Sequence, residues 1–124
     1  MQEEQNNNIS NAIYISGRMS GIKGYNYDGF KKAELLLKKK FPDRVIINPM
    51  DLILQMYTME QLLNNEYDYD LILSTVLQTL RDKCNTIYML KGWELSNGAR
   101  KELKTAIALR HLVYFEQDNI EENK

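Results

Sequence analysis

Four short apolar runs, each stopped by a polar or turn-forming residue, set the pattern of this chain. They are 12–16 (A-I-Y-I-S), 44–48 (R-V-I-I-N), 85–90 (N-T-I-Y-M-L) and 111–115 (H-L-V-Y-F). Each is short and rich in β-branched or aromatic residues, so each predicts a strand. The first is too continuously apolar for a strand with one wet face, which predicts a central place in a parallel sheet. Between the runs, apolar residues recur at helical spacing. Phe30, Ala33, Leu36 and Leu37 mark the inner face of a helix over 30–40. Its lysine-rich last turn suits the helix dipole, and Phe41-Pro42-Asp43 breaks it. Thr58 is placed to cap a short helix over 59–65. Leu71, Val76, Leu77 and Leu80 mark the core side of a longer one over 67–83. Ser96 offers an N-cap oxygen to a last helix whose inner face is Ala99, Leu103, Ala106 and Ile107. Met50, Met56 and Met59, between the second strand and the long helix, are expected to fill core gaps.

Strand, helix, strand, helices, strand, helix, strand is the alternation of an α/β protein with right-handed crossovers. The expected architecture is a three-layer, flavodoxin/Rossmann-like sandwich: four parallel strands in the order 2-1-3-4, flanked by helices. Ligands in such sheets bind beyond the carboxyl ends of the strands, where strand order reverses. That rule gathers the loop 17–24 with its glycines Gly17, Gly21 and Gly24, together with Asn48 and the loop 91–98. Tyr14 and Glu102 are expected to border the same crevice.

Composition narrows the function classes. A chain of 124 residues holds one core, expected over 11–116, with a disordered tail at 1–10 and a polar tail at 117–124. The net charge of -1 supplies no field for nucleic acid or an anionic membrane. No apolar run approaches spanning length, and the polar, acidic start resembles neither a secretory signal nor a transit peptide. A single cysteine, Cys84, excludes an internal disulfide and fits a reducing cytoplasm. With His111 as the one histidine, no structural zinc site can be assembled, and no metal or redox cofactor is expected.

Glu102 is the unusual residue of the last helix. Helical side chains lean toward the N-terminus, so Glu102 lies over Gly98 and Ala99, the smallest residues available. Its carboxylate is expected near the free amides and the positive end of the dipole, with room for a ligand against it. The alternative is an ordinary solvated glutamate on an amphipathic helix.

Three motifs carry a resemblance: I-Y-I-S-G at 13–17, I-I-N-P at 46–49, and C-N-x-I-Y-M-L-x-G-W-E-x-S-x-G-A-R-x-E at 84–102. Together they resemble the nucleoside 2-deoxyribosyltransferase superfamily, in particular its small phage and bacterial members. The likeness covers most of the chain from Ala12 to Phe115. The last motif is long and fairly specific, while the first two are weak alone.

The resemblance implies that Glu102 is a nucleophile that attacks the anomeric carbon of a ribosyl or deoxyribosyl group and expels the base. A sugar–carboxylate ester then passes to water or to another base, as in a retaining glycosidic displacement. Tyr14 matches a tyrosine that helps place the nucleophile; it could equally be a core aromatic. Ser96, in the context Ser96-Asn97-Gly98, stands where the family branch acting on 5′-monophosphates has serine and the nucleoside branch has aspartate. A hydroxyl and free helix amides can donate to a phosphate, and Arg18 could add a cation. A plain N-cap and a solvated loop charge are the alternatives. Ser16, Gly17, Met19, Asn48 and Gly92 complete the expected substrate contacts, with Trp93 and Glu94 as candidates for base stacking and polar contact or as an ordinary loop with one anchoring aromatic.

One departure stands out. The family has an aspartate on the helix before the third strand that assists the leaving base. Here that position falls on Leu77, or with a one-residue shift on Val76, and neither carries a proton. Asp70 lies two turns too early and Asp82 too late. A non-catalytic nucleotide-binding module on the same fold is therefore the competing expectation, and an interaction protein a third. Relatives of this kind assemble as homodimers or larger oligomers, and the aromatic start of the long helix is a plausible interface.

Overall fold

The computed structural model describes residues 11–116; both expected tails lie outside the described residues. Strand β1 (Ala12–Ser16) lies between β2 (Ile46–Ile47) and β3 (Cys84–Met89), with β4 (Leu112–Phe115) beyond β3. All pairings are parallel and the order is 2-1-3-4, the expected topology. Every residue of β1 is buried, as its unbroken apolar run requires. Only Ile46 and Ile47 of the second run form a strand. Arg44 is engaged elsewhere: its guanidinium donates to the Asn11 carbonyl at 3.0 Å, to the Thr86 hydroxyl at 2.8 Å and to the Asn85 side chain, tying the entry of β2 to that of β3.

Pleating sends Ile13 and Ile15 to one face of the sheet and Ala12, Tyr14 and Ser16 to the other. Helix α1 (Tyr27–Lys40), α2 (Pro49–Met56) and α3 (Met59–Leu63) supply Phe30, Leu37, Met50, Ile53 and Leu62 to the first face. Helices α4 (Tyr69–Lys83) and α5 (Asn97–Ala108) cover the second with Val76, Leu80, Ala99, Leu103 and Ala106. The result is a three-layer α/β sandwich.

The sequence pattern missed α2; of the three methionines expected to fill core gaps, Met50 is buried in the core and Met59 packs against it, while Met56 is half-buried. Asn48 caps it by accepting from the Met50 amide at 2.9 Å, with Pro49 in the first turn, where a missing N–H is harmless. Thr58 opens α3 through a capping box with Gln61, and Asp68 caps α4 through the Leu71 amide at 3.1 Å. Two expected core positions point outward: Leu71 is 48% exposed and Ile107 59% exposed. On α5 the buried stripe is Ala99, Glu102, Leu103 and Ala106. Its centre lies about 90° from Ile107 on a helix of 3.6 residues per turn, so the isoleucine falls outside it, and the glutamate at the stripe's other edge is buried instead. Glu34 is likewise buried on α1, beside a Leu36 that is only half-buried.

Cys84 is buried, its thiol pushed up to about 12 by burial, which makes it a poor nucleophile. His111 sets Nε2 3.0 Å from the Leu80 carbonyl. Among the described residues, no helix is long and apolar enough to cross a membrane, and no group of three His, Cys, Asp or Glu is placed to hold a metal ion.

Candidate active site

Tyr14 and Ser16 are two apart on β1, so both side chains leave the same face at its carboxyl end. Ala99, Leu103 and Ala106 seat α5 on that face. The lean of helical side chains then carries the Glu102 carboxyl to the strand end. The Tyr14 hydroxyl donates to Oε2 at 2.8 Å and the Ser16 hydroxyl to Oε1 at 2.5 Å. Glu102 is 7% exposed, so both of its oxygens are fixed from behind while the carboxyl borders a cavity in front.

Burial pushes the Glu102 carboxyl up to about 7; the hydrogen bonds from Ser16 and Tyr14 pull it back down without winning. The positive end of the dipole, near which the carboxylate was expected, acts mainly in the first turn of a helix, and Glu102 lies a turn further in. Tyr14 is raised well above its ordinary value by burial first, then by the charge of Glu102 and by its hydrogen bond to it. It therefore remains a protonated donor.

The cavity measures about 490 Å³. Gly17, Arg18 and Met19 line it from the first loop, and Ser96, Asn97 and Gly98 from the start of α5. The Ser96 hydroxyl accepts from the Ala99 amide at 3.0 Å, which leaves its own proton free to donate. Arg18 folds back on its loop, Nε donating to the Ser20 carbonyl at 3.1 Å. Gly17 is needed for packing: a Cβ there would stand 2.8 Å from Leu90 side-chain carbons. Ser16 stands behind Glu102 instead of lining the cavity, and its proton is committed to the carboxylate.

Besides Ser16, four expected contact residues lie away from the cavity. Asn48 is buried; its oxygen caps α2 and its amide donates to Glu34 at 3.2 Å. Gly92 makes a left-handed turn at φ 87°. Trp93, in the 3-10 turn Trp93–Leu95 that follows, packs against Phe115 with ring centroids 5.9 Å apart. The Glu94 side chain is exposed and its carbonyl accepts from Arg100 at 2.5 Å. From that turn only Leu95 reaches the cavity.

Tyr25, Tyr67 and Tyr69 form a further wall, and Lys101 of α5 lines the cavity as well; none of them was assigned a site role from the sequence. Gly24, Tyr25 and Asn26 all take left-handed backbone, at φ 60°, 57° and 62°. Such a conformation is uncommon outside glycine; here the Asn26 amide secures it by donating to the Arg18 carbonyl at 3.0 Å. The Tyr25 ring meets Tyr67 edge-on, and their hydroxyls lie 3.0 Å apart. The aromatic start of α4 was legible in the sequence, but as an interface; the backbone turn that aims Tyr25 has no signature in hydrophobic spacing. Val76 also lines this wall while Leu77 packs half-buried, so Glu102 is the only carboxyl among the described lining residues.

Fold and site together define an α/β protein that presents one buried, doubly hydrogen-bonded carboxylate to a cavity at the carboxyl edge of its parallel sheet. A model of the family described as a domain of unknown function (DUF4406) matches residues 11–115, and the chain belongs to that family. Neither a curated protein nor a solved structure matches it.

Proposed function

We propose that the protein cleaves the N-glycosidic bond of a nucleotide or nucleoside, or transfers its ribosyl or deoxyribosyl group, with Glu102 as the nucleophile. The observation that carries this reading is Glu102 itself, a carboxylate fixed by Tyr14 and Ser16 at the edge of a ligand-sized cavity. An Oε atom bonds to the anomeric carbon, the bond to the base nitrogen breaks with its electron pair, and water or a second base later displaces the ester. With its pKa pushed up to about 7, Glu102 exchanges its proton near neutral pH, and the ionised form is the nucleophile. Burial makes that form more nucleophilic by removing its hydration. The likeness of the three motifs to nucleoside 2-deoxyribosyltransferases supports the same chemistry. Arg18 and Lys101 as the lining cations, with the Ser96 hydroxyl, favour a phosphate-bearing ligand. The reading carries with it a cytoplasmic setting and an assembly of identical chains, without nucleic acid, membrane, metal or redox cofactor.

A second reading, binding without turnover, is favoured by Val76, an apolar side chain on the wall where a leaving base needs a proton. Incubating the protein with nucleosides and their 5′-monophosphates and following ligand masses separates the two. Free base from the wild type and none from Glu102→Ala is the expected result. Release retained in that variant rejects Glu102 as nucleophile, and a thermal shift with unchanged ligand mass selects the second reading.

A further inference from the structure

We propose that Tyr69 is the proton donor to the departing base: its hydroxyl stands on the wall of the Glu102 cavity, against Gly98, with the Lys101 ammonium over its ring. This rests on the Glu102 reading and supplies the acid that reading lacks.

A base that leaves with the electron pair of its glycosidic bond requires a proton. The cavity offers few sources. Glu102 is committed to the sugar carbon. Arg18 is folded back on its loop, Nε donating to the Ser20 carbonyl. Tyr25 and Tyr67 share a hydrogen bond that commits one of their two protons, and the free proton of Ser96 is the one offered to a phosphate. The hydroxyl of Tyr69 has no hydrogen-bond partner among the described residues, and it lies 3.4 Å from where a Cβ on Gly98 would stand. That places it at the same bare helix start over which Glu102 leans. Tyr69 and Val76 are seven residues apart on α4, two turns along one face, and both line the cavity.

The charges around Tyr69 suit a proton given at one moment and recovered later. Its phenol is raised by burial first and by the negative charge of Glu102 second. When Glu102 becomes an ester, that charge vanishes, and the proton is released more readily just as the base departs. The Lys101 Nζ, 5.7 Å from the ring centroid, then faces the phenolate.

In the first half-reaction Glu102 Oε bonds to the anomeric carbon, the carbon–nitrogen bond breaks, and the Tyr69 proton passes to the base nitrogen. In the second, water attacks the same carbon, the ester bond breaks to return the carboxylate, and the water proton returns to Tyr69. The sum is hydrolysis, with both side chains restored.

The test compares Tyr69→Phe with wild type on two leaving groups: the bases of natural nucleosides and 5′-monophosphates, and the nitrophenolate of 4-nitrophenyl β-ribofuranoside and its 5′-phosphate. Nitrophenolate departs without a proton. The expected result is a fall in kcat of roughly a hundredfold for base release, with nitrophenolate release and the thermal midpoint unchanged. Lys101→Met keeps the proton but is expected to move the alkaline limb of the base-release profile upward. An equal loss on both leaving groups, or no loss on either, overturns the assignment while leaving the Glu102 reading intact. Wild type that releases nitrophenolate but no base also overturns it. Wild type that releases neither overturns the Glu102 reading itself.

Discussion

Ser16 and Glu102, 86 residues apart in the chain, share a 2.5 Å hydrogen bond in which the serine hydroxyl donates to Oε1. Tyr14 holds the other oxygen from the same strand face. The carboxylate is therefore positioned by a rigid, fully buried strand, while its own helix supplies only its reach.

Removing either donor raises the Glu102 pKa, since both hydrogen bonds lower it. Cleavage by the wild type is expected to rise with pH through about 7. In Ser16→Ala and in Tyr14→Phe that acidic limb is expected to move to higher pH, with a stability loss of about 1–3 kcal/mol above the limb, where the charged acceptor loses a partner. A pH–rate series with matched urea unfolding checks both; a limb that stays in place removes the two hydroxyls from the account.

Glu102 costs stability at alkaline pH. Its ordinary pKa of 4.5 becomes about 7 on folding, so between these values the folded chain binds more protons than the unfolded one. Stability thus falls as pH rises through this window and stays low above it, by about 3 kcal/mol in all. Glu102→Gln is expected to be the more stable protein at about pH 8 and nearly equal to wild type at about pH 4. Urea midpoints at the two pH values decide it; an equal gap at both contradicts a buried, titrating carboxyl.

Glu34 has the opposite sign. Burial pushes its carboxyl up, but donors on Lys38 at 2.7 Å, Asn48 at 3.2 Å and Lys31 at 3.3 Å outweigh it and hold the group below its ordinary value. Its contribution is present above the unfolded pKa and is lost as pH falls through the folded one. Both lysines are about half exposed, so solvent screening limits the Glu34→Gln loss near neutrality to about 1 kcal/mol. Thermal melts across the acid range should show that gap closing.

Gly17→Ala tests the packing of the loop that lines the cavity. Its new methyl would stand 2.8 Å from carbons of the buried Leu90, and overpacking of this kind costs about 1–3 kcal/mol. A melt identical to wild type would show that the loop is free to move aside.

The strands, their order and the position of Glu102 were legible because each rests on a short-range signal. An unbroken apolar run marks an inner strand, and two tiny residues one turn before a glutamate leave room under its side chain. Glu34 was not legible: its lysines at i-3 and i+4 look in sequence like an ordinary solvated face. Asn48 and the 92–94 turn were misplaced because nearness to a strand end along the chain is not nearness to the crevice. The Asn48 side chain is used by α2 and Glu34, and Trp93 turns toward Phe115. Tyr25 owes its place to three successive left-handed residues, which hydrophobic spacing does not encode.

Glu102 bonding to a sugar carbon is the central event, and the mass of the peptide containing it reads that event directly. After acid quench of the protein during turnover of a nucleotide substrate, that peptide is predicted to carry a ribosyl or deoxyribosyl adduct on Glu102. Base released without any adduct, and at an unchanged rate from Glu102→Ala, would contradict it.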